Sequence, residues 1–130
     1  MMQTDISKNA ASRILIIEDE TLLSIELEIL LEEMGHQVVG VASHVERALE
    51  LIARHGPETD LAILDVKLGT SSARPVAQRL ETLGIPYLVL TGARAVAEKI
   101  VGDRAPLLSK PVDFNVLRNT LSRLAPTQAA

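Results

Sequence analysis

Five residues suited to phosphoryl chemistry stand at or just beyond the ends of short apolar runs. Glu18 and Asp19 follow Arg13–Ile17, Asp65 follows 61–64, Thr91 follows 87–90, and Lys110 comes two places after Leu107 and Leu108. Gathered together, the three carboxylates repel, and each gains proton affinity unless a cation joins them. Mg2+ is the natural partner, because it prefers oxygen ligands and keeps several of its waters. With charge balanced in this way, Asp65 can stay ionised and attack phosphorus to give an acyl phosphate. Lys110 and the Thr91 hydroxyl would meet the charge on the transferring group. Gly92, lacking a Cβ, leaves room for a phosphate oxygen near the backbone. Singly, each residue has a plain reading as a turn acid, a turn threonine or a surface lysine. Their joint placement is what carries the chemistry.

Up to 92 positions separate these residues, from 18 to 110, so a fold must bring them together. An open parallel sheet does so, because ligands bind in the crevice at the carboxyl ends of its strands. Strand and helix signals alternate along the chain, as in a doubly wound α/β domain. Helices are expected over 21–34 and stopped by Gly35, from a Ser43/Glu46 capping box to His55, and from about 72 or 74 to Leu83. Further helices are expected over 95–101, where the signal is weak, and after Asp113 to about Leu124. Strand two is expected at 38–41, and 69–72 is expected to be a loop. The runs before Asp65 and Thr91 are continuously apolar, as strands covered on both faces should be.

The chain's 130 residues suit one domain with a real core, expected over 12–125 between tails at 1–11 and 126–130. Tyr87 and Phe114 are the only aromatics, so packing rests on Leu, Ile, Val and Ala. Without cysteine there are no disulfides and no thiolate chemistry. A net charge of −4 with no basic cluster argues against a nucleic-acid partner. No apolar run nears the ~20 residues of a membrane span, and a cytoplasmic protein is expected. The three histidines share no metal-ligand spacing and are read as solvated or capping residues.

Ile-Leu-Ile-Ile-Glu-Asp-Glu (14–20), Leu-Ala-Ile-Leu-Asp-Val-Lys-Leu (61–68), Leu-Thr-Gly (90–92) and Ser-Lys-Pro-Val-Asp (109–113) together resemble the receiver domain of two-component response regulators. The resemblance covers about 13–124 and implies a flavodoxin-like five-stranded parallel sheet in the order 2-1-3-4-5. It implies that Asp65 accepts phosphate from a histidine kinase or a phosphotransfer protein. It further implies that Asp19 and Asp65 bind Mg2+ directly, with Glu18 acting through water and Lys67 through its carbonyl. A cis Lys110–Pro111 bond is implied as well.

Two positions depart from that pattern. Most receivers carry proline four residues after the acceptor, where this chain has Gly69, and an aromatic or histidine three before the lysine, where it has Leu107. With Val-Leu-Thr-Gly-Ala-Arg at 89–94, the chain looks like a diverged member of an alphaproteobacterial subfamily of stand-alone receivers that usually has Phe-Ala-Thr-Gly. Switching is therefore expected to rely on the loop after Thr91 and on the weak helix that follows. In the first helix, Leu23, Leu27, Leu30, Leu31 and Met34 form one apolar stripe, and Leu22, Ile25 and Ile29 form a second on nearly the opposite side. The second stripe is a candidate partner face, for a kinase or for a weak homodimer. After Leu124 only Ala-Pro-Thr-Gln-Ala-Ala follows, so output through protein binding, or service as a phosphate relay or sink, is expected. A phosphate-independent binding module is the alternative. A phosphatase is disfavoured, because no insertion is long enough to supply a substrate cap.

Overall fold

Apolar residues that alternate on both faces of five strands give the chain its layers. A computed structural model describes residues 11–124. The expected tails, apart from Ala11, fall outside them. In chain order the elements are β1 (Arg13–Ile17), α1 (Thr21–Glu33), β2 (Gln37–Ala42), α2 (Val45–His55), β3 (Leu61–Asp65), β4 (Lys67–Leu68), β5 (Ser71–Ser72), α3 (Arg74–Thr82), β6 (Tyr87–Thr91), α4 (Arg94–Val101), β7 (Leu107–Ser109) and α5 (Phe114–Leu124). A one-turn 3-10 helix, Gly56–Glu58, follows α2. The main sheet runs β2-β1-β3-β6-β7, which is 2-1-3-4-5 when only its own strands are counted. Every pairing in it is parallel.

The period-two rule sorts the core into two halves. Leu15, Ile17, Ala62, Leu64 and Val89 face α2, α3 and α4, packing with Leu51, Ile52, Leu80 and Val101. Ile14, Ile16, Leu61, Ile63, Leu88 and Leu90 face α1 and α5, packing with Leu27, Leu31, Leu117 and Leu121. The first apolar stripe of α1 thus lies on the sheet as expected. The second is exposed, with Leu22, Ile25 and Ile29 at 71%, 46% and 52%. At the lower end of β6, Tyr87 donates its hydroxyl proton to Glu81, which also pairs with Arg104 at 3.1 Å, tying α3 to the segment after α4. Among the described residues no helix is long and apolar enough to cross a membrane.

Two local expectations need correction. The α2 cap is His44 rather than Ser43: its Nδ1 accepts the Arg47 N–H at 3.2 Å, doing what a capping hydroxyl does. Residues 69–72 are not simply a loop, because Ser71–Ser72 turns back antiparallel on Lys67–Leu68. Elsewhere the boundaries match closely, with Gly35 at φ +88° beyond α1 and Asp113 Oδ1 accepting the Asn115 and Val116 amides at the start of α5.

His36 is neither solvated nor a cap. Its half-buried Nδ1 accepts the Ser12 N–H at 3.0 Å, while Ser12 O accepts the Gln37 N–H, closing the entry to β1 onto β2. Burial holds this imidazole below its ordinary range. Because the folded state disfavours the proton, its contribution is complete above the unfolded pKa of about 6.5 and is lost as pH falls through and below that value. Stability of the wild type should therefore drop between pH 7.5 and 5.5 by more than that of His36→Gln, which keeps an acceptor that does not titrate. Urea unfolding followed by circular dichroism at the two pH values measures the difference.

Candidate functional site

Parallel register sets the strand ends level. Ile17 pairs with both Ala42 and Leu64, Asp65 pairs with Leu90, and Thr91 pairs with Ser109. Each polar residue one step beyond an apolar run therefore arrives at the same edge. Asp19, Asp65, Lys67, Thr91, Gly92 and Lys110 line one open cleft of about 540 Å3 there. Glu18, 2% exposed, does not line it but brings a carboxylate oxygen within 4.8 Å of those of Asp19 and Asp65.

Lys110 organises these groups. The Lys110–Pro111 peptide bond is cis. The Lys110 Nζ donates to Asp65 Oδ2 at 2.9 Å, to Glu18 Oε2 at 3.2 Å and to Glu20 Oε2 at 2.8 Å. The last partner is not foreseen from the sequence, where Glu20 is given no role of its own. The available signal was its place directly after the acidic pair. Burial works against the Lys110 charge, yet the bonds to Glu20, Asp65 and Glu18 outweigh it and hold the ammonium well above its usual range. Burial, opposed by the Glu20 amide and reinforced by the Asp65 charge, pushes the Glu18 carboxyl up to about 7. For Asp19 burial also raises the pKa, but the Gly69 N–H, 2.8 Å from its Oδ2, helps bring it below the ordinary value.

The set of oxygens suits a hard divalent cation. Glu18, Asp19 and Asp65 each offer an oxygen within 4.8 Å of the others. Glu18 Oε1 is buried and, although 3.1 Å from Lys110 Nζ, has no hydrogen-bond partner because the angle is poor. An orphaned buried carboxylate oxygen beside two further carboxylates is where Mg2+ would fit. When bound, the ion would neutralise charge on the carboxylates and on an incoming phosphoryl oxygen.

The remaining expected residues divide. Lys67 joins the site through its backbone, its N–H reaching Asp65 Oδ1 at 3.1 Å, while its side chain is exposed. The buried Thr91 sits with its Oγ1 accepting the Ala93 N–H at 2.9 Å, tying it to the start of α4. Leu107 stays out of the cleft. It pairs with Val89 and packs on the α2–α4 side, and its carbonyl accepts Arg94 Nη2 at 3.2 Å. Leu22, Ile25 and Ile29 also lie outside the cleft, although Leu22 borders a neighbouring groove with Glu20, Lys110 and Phe114.

A flavodoxin-like sheet with acids at β1 and β3, a hydroxyl at β6 and a lysine at β7 defines a receiver. The response regulator receiver domain pattern matches residues 14–122, and the chain belongs to that family. The phyllosphere-induced regulator PhyR of Methylorubrum extorquens is 34% identical over 113 residues, covering 82% of this chain and 41% of that protein. SdrG of Sphingomonas melonis has a solution structure similar at TM-score 0.73 with 35% identity, covering 90% of this chain and 98% of SdrG. The PhyR response regulator of Brucella abortus superposes at TM-score 0.77 with 28% identity over 91% of this chain and 49% of its own. The chain spans about two fifths of the length of curated relatives such as the two PhyR and PdtaR regulators. Members of this family are signalling regulators rather than metabolic enzymes.

Removing the ammonium leaves two buried carboxylates without their cation. Lys110→Met should destabilise the metal-free protein by about 3 kcal/mol, the range for an uncompensated buried charge, and added Mg2+ should restore part of the loss. Urea unfolding at pH 7.5 with and without Mg2+ reads both effects.

Proposed function

We propose that this receiver accepts a phosphoryl group on Asp65 from the phosphohistidine of a histidine kinase or a phosphotransfer protein, in a Mg2+-dependent reaction in the cytoplasm. The bond between phosphorus and imidazole nitrogen breaks as the bond between phosphorus and an Asp65 carboxylate oxygen forms. What supports this role for Asp65 is its place in the lining of the cleft, held by the Lys67 amide on one oxygen and by Lys110 on the other. The observation that carries the reading is the Lys110–Asp65 contact of 2.9 Å across 45 positions of chain, beside an acidic set able to take a cation. Glu18, Asp19, Asp65 and the Lys67 carbonyl are the proposed metal ligands. Thr91 and Gly92 receive the phosphoryl oxygens together with Lys110.

Output goes through protein contact, or the domain serves as a relay or sink for phosphate. Leu107 lies outside the cleft, so no ring can turn inward behind Thr91. The path to the surface instead runs from Thr91 through the Ala93 amide into α4, whose eight residues begin without a side-chain cap. Leu22, Ile25 and Ile29 form the proposed partner face beside the acceptor.

Beryllofluoride with Mg2+ should shift amide resonances around 91–108 in the wild type and leave Asp65→Ala unmoved. Absence of any Asp65-dependent shift would favour a phosphate-independent binding module. Ile25→Glu should slow transfer from a phosphorylated donor severalfold at unchanged Mg2+ affinity. Equal rates for the two proteins would remove this face from the proposal.

A further inference from the structure

An ammonium has three protons to donate. In this protein all three are spoken for: Lys110 Nζ meets Glu18, Asp65 and Glu20, and none is left for a phosphoryl oxygen. One partner must let go before Lys110 can serve the transferring group. The three are not equivalent. The Glu18 and Asp65 side chains are 1% and 8% exposed, so water cannot readily replace the ammonium at either. The Glu20 side chain is 60% exposed and can exchange an ammonium for water at small cost.

Glu20 is also built into the place where it stands. Its backbone N–H donates to Glu18 Oε2 at 3.0 Å, so its position is fixed by a residue of the acidic set. It precedes α1 at the cap position, yet its side chain makes no capping bond and goes to Lys110 at 2.8 Å, the shortest of the three contacts. The Glu20–Lys110 pair borders both the acceptor cleft and the neighbouring groove of about 320 Å3, which Leu22, Leu23, Val112 and Phe114 line. The ion pair is thus a partition between the two.

We infer that Glu20 is a positioning residue of the phosphoryl site: it occupies the third Lys110 donor and is the partner released when a phosphoryl group arrives. The inference rests on the phosphoacceptor reading of Asp65. It makes the chain slow toward small phosphoryl donors, which bring nothing to take over Glu20. A protein seated in the adjoining groove can instead present a cation to it. No bond is made or broken by Glu20 itself, so the transfer step is unchanged in its balance of atoms and charge.

The test compares wild type, E20Q and E26Q, all with Mg2+. Glu26 borders the same groove but is not among the hydrogen-bond or ion-pair partners of Lys110, so E26Q removes an equal charge and leaves the pair in place. E20Q should bind beryllofluoride up to about fivefold more tightly than wild type, the most an exposed ion pair can withhold, and should take phosphate from acetyl phosphate faster by a similar factor. E26Q should match wild type. Without metal or phosphate, the Lys110 ammonium protons, followed by nitrogen-15 NMR, should exchange with water faster in E20Q than in wild type or E26Q. Equal beryllofluoride affinity in E20Q and wild type, or equal tightening in E26Q, overturns the role of Glu20 while the Asp65 reading stands. A wild type without Asp65-dependent shifts ends that reading and this inference with it.

Discussion

One partly buried ammonium sets the terms for everything around it. Lys110 arrives from β7 and meets carboxylates from β3 and from the turn after β1, so the ends of three parallel strands are held together by a single charge. The arrangement is not a device for stability, since burying ions costs about as much as their attraction returns. It is a way to keep several carboxylates ionised and close before a cation or a phosphoryl group is present. Glu18 shows how finely that is balanced, with its carboxyl raised to about 7 despite the lysine beside it. The two apolar layers, one on each face of the sheet, supply the rigidity that such a balance requires.

The strand ends are legible in the sequence because parallel strands buried on both faces must be apolar throughout, so the first polar residue marks the edge. Register then does the rest: Asp65 against Leu90 and Thr91 against Ser109 needs no long-range information beyond strand order. What escapes a linear reading depends on side-chain reach. Glu20 stands just before α1, and nothing in its neighbours says that it will reach a lysine 90 positions away. His44 displaces Ser43 as the α2 cap because an imidazole nitrogen accepts an amide as well as a hydroxyl does. His36 looks like a residue past a helix-ending glycine, yet the return of the chain into β2 places it under the Ser12 amide.

Leu107 is the clearest departure from the family's habit, and the neighbourhood has adjusted to it. Its side chain packs on the core while its carbonyl takes Arg94, so β7 and the first residue of α4 are joined along the surface rather than through a ring. Thr91 reaches the same segment from inside through the Ala93 amide. A hydroxyl that accepts from an amide still has its own proton to give. Thr91 can therefore hold α4 through a lone pair and still offer its proton to the cleft it lines.

Gly69 carries a different kind of consequence. Its N–H, donated to Asp19 at 2.8 Å across 50 positions, hangs the β4–β5 hairpin from an acidic residue of the site, and its φ of +63° suits glycine. Proline, which most of the family has here, offers no N–H and holds φ near −65°. Proline is thus closed to this chain: it would cut the hairpin's tie to the site and free Asp19 in one step. A backbone amide, rather than any side chain of the loop, is what ties the acid just beyond β1 to the hairpin.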